Sequence, residues 1–137
     1  MPYALIGFLL LFANKLFAQI KVDSIGVLKD SEKLNQNNAT ITETQAKVIA
    51  ENFHTAVMGL GTDEDLIYEQ LNKLKNQNDF NAVFNAFGKR QYSQTWGNIG
   101  DPLTSDKYDL LFILANELSS NEQQYIKETY PYLVLFN

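Results

Sequence analysis

Few residues in this chain carry side chains suited to catalysis or ligation, and several of them gather between Ala56 and Asp65. The run Ala56-Val57-Met58-Gly59-Leu60-Gly61-Thr62-Asp63-Glu64-Asp65 sets three carboxylates behind two glycines. A carboxylate pair such as Asp63 and Asp65 could in principle serve as acid and nucleophile in glycoside hydrolysis. Local backbone chemistry gives a simpler account. Gly59 and Gly61 supply the positive φ that a helix C-terminus needs. Thr62 reads as an N-cap with Asp65 three residues on, and all three acids then face the positive end of the following helix dipole. His54 is the single histidine, and no Ser-His-Asp or metal-histidine spacing surrounds it. The chain has no cysteine, which removes thiolate nucleophiles, thiolate metal sites and disulfides. No constellation of a catalytic site is present, and the expectation is a protein that is not an enzyme.

The elements that position this run are helices. Thr42 and Gln45 have capping-box spacing and introduce a first helix whose apolar stripe is Ala46, Ile49, Ala50, Phe53, Val57 and Leu60. A second helix is expected from Asp63 to about Lys75, with Leu66, Ile67, Leu71 and Leu74 inward. A third follows Asn78 as cap and carries Phe80, Val83, Phe84 and Phe87. The fourth buries Leu110, Leu111, Leu114 and Leu118. The fifth starts from the Ser119-x-x-Glu122 capping box and carries Tyr125, Ile126 and Tyr130 until Pro131 discourages continuation. No segment of comparable length alternates with period two. The expected fold is all-α, a compact five-helix bundle over residues 41–137.

Between the third and fourth helices lies an inserted loop at about 91–106, with the only tryptophan, two glycines and a proline. A loop of this length in a compact domain is often functional. Trp96 and Tyr92 either fold back over the core or meet a protein partner, since aromatic residues are enriched at interfaces.

The N-terminus has a different character. Tyr3 to Ala13 is uninterrupted apolar sequence, resumed at Leu16-Phe17-Ala18 after Asn14 and Lys15. As a separate apolar helix, residues 2–20 would span about 28 Å, close to the thickness of a bilayer core. Three readings stand: a retained membrane anchor at 1–20, a secretory signal cleaved near Ala18, or an element buried in an assembly. As an anchor, with Lys15, Lys21, Lys29 and Lys33 following it, the segment would leave the domain on the cytoplasmic or equivalent interior side. A cleaved signal would make the protein an exported one. Residues 21–40 read as a linker, in which Asn35-Gln36-Asn37-Asn38 is a polar tract with no reason to fold.

Charge narrows the partners. The chain carries 11 basic and 16 acidic residues, a net charge of −5, and residues 39–137 hold seven basic against thirteen acidic. Such a domain is repelled by nucleic acid and by anionic lipid unless a cation bridges the contact. Lys89-Arg90 is too small a basic patch to reverse this. No nucleic-acid partner is expected.

Gly59-Leu60-Gly61-Thr62-Asp63-Glu64 resembles the G-x-G-T-D/E signature of an annexin repeat. Downstream, Asp109-Leu110-Leu111, Leu114 and Glu117-Leu118-Ser119 are similar to the D-L-L-x-x-L-x-x-E-L-S of the repeat's fourth helix, and Phe87-Gly88-Lys89-Arg90 stands where the family has its F-G-R/K turn. The resemblance covers residues 41–133 and implies an annexin-repeat-like bundle. It also implies calcium held by the carbonyls of Val57, Gly59 and Gly61 with the carboxylate of Glu117, a mixed oxygen shell of the kind this hard cation accepts. Met58 departs from the lysine common there, and the insertion stretches the distance from Thr62 to Glu117. Asp101 is the alternative carboxylate by sequence distance, but it lacks the helix pattern around Glu117.

Together these features lead to an expected non-enzymatic, membrane-anchored structural or interaction module on one annexin-like repeat. The short architecture and the Asn-rich composition suggest a bacterial protein or one of a lipid-containing virion. The competing expectations are calcium-dependent phospholipid binding and an exported protein.

Overall fold

The computed structural model describes residues 33–93 and 106–136, and the expected N-terminal anchor lies outside them. Five helices account for most of the described chain: α1 (Glu43–Val57), α2 (Glu64–Leu71), α3 (Gln77–Phe87), α4 (Leu110–Glu117) and α5 (Ser120–Thr129). Between α3 and α4 a two-residue antiparallel ribbon pairs β1 (Arg90–Gln91) with β2 (Lys107–Tyr108), in the register Arg90↔Tyr108 and Gln91↔Lys107. The protein is mostly helical, as the periodicity implies. The ribbon is too short to leave a period-two signal.

Each helix begins where a side chain can satisfy its free amides. Thr42 accepts from the Gln45 amide while the Gln45 side chain returns to the Thr42 amide, and Ser119 and Glu122 form the second capping box. Two starts differ from expectation. Helix α2 is capped by Asp63, which accepts from Leu66 N at 2.9 Å, so Thr62 stands one residue outside it. Helix α3 is capped by Asn76 rather than Asn78.

Phe53, Phe80, Ile67, Leu71, Leu110, Ile113 and Leu114 form the fully buried centre. Leu66 and Leu111 are partly buried against it, and two residues expected inward are exposed. Leu60 is 98% exposed, because α1 ends at Val57 and the glycine turn carries Leu60 beyond the bundle. Tyr125 is also exposed and rests edge-on against Tyr68.

The polar tract before α1 is folded. Residues 34–40 run back along α3, held mainly through their own main chain. Asn85 Oδ1 accepts from Leu34 N at 2.9 Å, and its Nδ2 donates to Leu34 O at 2.8 Å. Asn81 Nδ2 donates to Asn35 O, and Asn76 Nδ2 reaches Asn38 O. At the far end the buried Asp79 accepts from the amide and the hydroxyl of Thr40 and from Lys75 N. Leu34, Ala39 and Ile41 pack on the core from this strap. Hydropathy gives no hint of it, because carboxamides bonded to main chain do the holding.

Candidate functional site

The turn after α1 is built by backbone geometry. Met58 is extended, Gly59 and Gly61 take φ of +90° and +95°, and Asp63 N closes the turn on Ala56 O at 2.8 Å. A Cβ at either glycine would meet nothing within 4 Å, so the glycines are required by their dihedrals and not by space. Alanine at Gly61 is therefore expected to cost on the order of 1 kcal/mol through backbone strain alone, a difference that thermal unfolding would register as a small loss in Tm.

Thr62, freed from capping, turns its hydroxyl to Glu117. Its Oγ1 donates to Oε2 of that carboxylate at 2.7 Å, across 55 positions of sequence. Tyr92 donates its phenolic hydroxyl to Oε1, also at 2.7 Å. Glu117 is the last residue of α4, and so joins the glycine turn, the start of the insertion and a helix end. The carbonyl oxygens of Gly59 and Gly61 accept no hydrogen bond from the described residues. Beside the turn lies an open concavity of about 500 Å³, lined in part by Met58, Leu60, Thr62, Glu64 and Asp65.

The expected ligand residues thus converge in part. Glu117 reaches the turn despite the insertion, whose ends the ribbon draws together. Val57 is buried at the end of α1. Asp101 and Trp96 lie outside the described residues. Tyr92 is only 7% exposed and folds onto the core beside Tyr108 and Phe112, so its ring is not an open contact for a partner. Among the described residues no cluster of three or more His, Asp or Glu side chains is placed to hold a metal, so an ion at this turn would depend on carbonyl oxygens.

No protein-family profile, no curated protein and no solved structure matches this chain.

Other titratable groups at this end make contacts within the fold. His54 is half-buried with its ring edge-on to Phe87; burial, helped by Arg90, pulls its pKa below the ordinary imidazole value. Arg90 pairs with Glu51 at 2.6 Å and lies over the Phe87 ring, and its hydrogen bond holds the Glu51 carboxyl below the usual range. Asp63 caps α2 and Asp65 is exposed, and both line the concavity beside the turn.

Asp109 stands in the motif at the start of α4, but its burial is not expected from it. It caps α4, where its Oδ1 accepts from Phe112 N at 2.9 Å, and it is 1% exposed. Its Oδ2 has no hydrogen-bond partner among the described residues. Burial pushes this carboxyl up to about 7, against the opposing pull of the Phe112 amide and of Lys89. The aspartate before an apolar helix is legible as a cap. Its burial has no local signature in the sequence.

Proposed function

We propose that the chain is a non-enzymatic, membrane-anchored interaction module built on one annexin-like helical repeat. The observation that carries this reading is the apolar run at 3–18, joined in sequence to a helical unit with its own core. Its chemistry-bearing residues are engaged in caps and cross-links, and the acidic surface disfavours nucleic acid. A protein partner is the natural ligand of such a module. The domain would lie on the cytoplasmic or virion-interior side of the membrane.

Among the described residues no helix is long and apolar enough to cross a membrane, so the reading rests on residues 1–20 and is tested by removing them. The full chain is expected to float with vesicles in the presence of EDTA, and the chain lacking 1–20 to stay in the dense fraction. Flotation of the truncated chain would defeat the anchor, as would a native N-terminus at Gln19.

The contact between Thr62 and Glu117 favours a second reading, calcium-dependent binding to phospholipid. The Gly59 and Gly61 carbonyls with the Glu117 carboxylate would hold the ion, once the carboxylate gave up a hydroxyl. On this reading, calorimetric titration of the full chain shows saturable calcium binding that Glu117→Gln abolishes. Absence of heat up to millimolar calcium would leave the repeat as a scaffold.

A further inference from the structure

We infer that the strap of residues 34–40 fixes which end of the domain lies on the lipid surface, and that it is the end carrying the glycine turn. The inference rests on the membrane-anchored reading and adds an orientation to it.

The direction of the chain carries the argument. Thr40 is bound at the first turn of α3 through Asp79, and Leu34 at its last turn through Asn85. Helix α1 starts beside the first of these points and ends beside the second, since His54 meets Phe87 and Arg90 meets Glu51. The strap therefore returns the chain, read toward its N-terminus, to the end where α1 gives way to Gly59. The C-terminal segment is held at the other end, with Tyr132 donating to Leu74 O at 3.1 Å and Val134 N to Gln77 Oε1 at 2.7 Å.

Both ends expose apolar side chains, Tyr132 and Val134 at the C-terminal end and Leu60 and Met58 at the turn. The turn end also carries the cations Lys33, Lys89 and Lys107. The acids Asp63, Glu64 and Asp65 share this end and oppose anionic lipid, so the contact is apolar first. Fourteen residues, 19–32, separate the apolar run from Lys33. The chain enters the described residues at the turn end, so that end is the first part of the bundle to follow the apolar run.

The strap suits this task because Asn81 and Asn85 grip main-chain atoms. Side chains add to the hold, with Gln36 bonded to Asn85, Thr40 bonded to Asp79, and Leu34, Ala39 and Ile41 packed on the core.

The absence of cysteine makes the test direct, since Leu60→Cys and Val134→Cys each give one labelling site in the full chain. Each variant carries an environment-sensitive fluorophore and is bound, in EDTA, to phosphatidylcholine–phosphatidylserine vesicles containing a lipid-borne quencher. The expected result is blue-shifted emission and severalfold stronger quenching at position 60 than at 134. Asn85→Ala, checked for helicity, should shrink that difference while flotation persists. Equal signals at both positions, or a stronger one at 134, overturn the inference while flotation upholds the anchor. A signal at 60 that appears only with calcium also overturns it, in favour of ion bridging. Failure of the full chain to float is a failure of the anchor reading itself.

Discussion

Alanine at position 79 will destabilise the fold by about 3–5 kcal/mol, among the largest effects expected of any single polar substitution here. Asp79 is fully buried, and its carboxylate accepts from Lys75 N at 2.7 Å, from the Thr40 hydroxyl at 2.8 Å and from the Thr40 amide. Removing it strands donors from two segments at once and releases the strap where it enters α1. Burial alone would raise this carboxyl, but the amides of Lys75 and Thr40, the Thr40 hydroxyl and the Ile41 amide outweigh it and hold the pKa below 3.8. The sign follows: the contribution is present above the unfolded value and is lost as pH falls through the lower folded value. Denaturant unfolding at pH 7 and at pH 3 would reveal both effects. An alanine variant within 1 kcal/mol of the parent at pH 7 would mean that the strap adds little to stability.

Asp109→Asn addresses the opposite case. The folded pKa of Asp109 is raised from 3.8 to about 7, so its favourable contribution is complete below pH 4 and disappears as pH rises through 7. The span between those values corresponds to roughly 4 kcal/mol of stability lost between acid and mildly alkaline solution. Asparagine keeps the capping oxygen and carries no charge, so the variant should lack this part of the pH dependence. Unfolding free energies of parent and variant at pH 5 and pH 8 test it. The parent should weaken more than the variant on going to pH 8. Parallel behaviour of the two would show that the carboxylate stays charged in the fold.

What could be read from the sequence was local. Thr42 with Gln45 and Ser119 with Glu122 mark their helices within four residues, and the stripe Ala46-Ile49-Ala50-Phe53-Val57 faces the core as its period implies. What escaped depends on distant partners. Thr62 has the composition of a cap, yet Asp63 takes that place and Thr62 bonds a residue 55 positions away. Leu60 continues an apolar period past the end of its helix, and the turn turns it to solvent. The strap is polar and free of periodicity, so only the carboxamides of a helix forty-odd residues downstream reveal that it folds. Glu117 joins Thr62 and Tyr92, neither of which is near it in sequence, so neither contact has a local signal.

The ribbon between α3 and α4 has a consequence for engineering. Arg90 opposite Tyr108 and Gln91 opposite Lys107 clamp the two ends of the insertion side by side, and Tyr92 pins its first residue to Glu117. With the ends fixed, doubling the length between them adds only about 0.6 kcal/mol of closure entropy. The ribbon thus sets where the chain leaves and re-enters the bundle, and extra residues inserted between its ends are expected to cost little beyond this closure term.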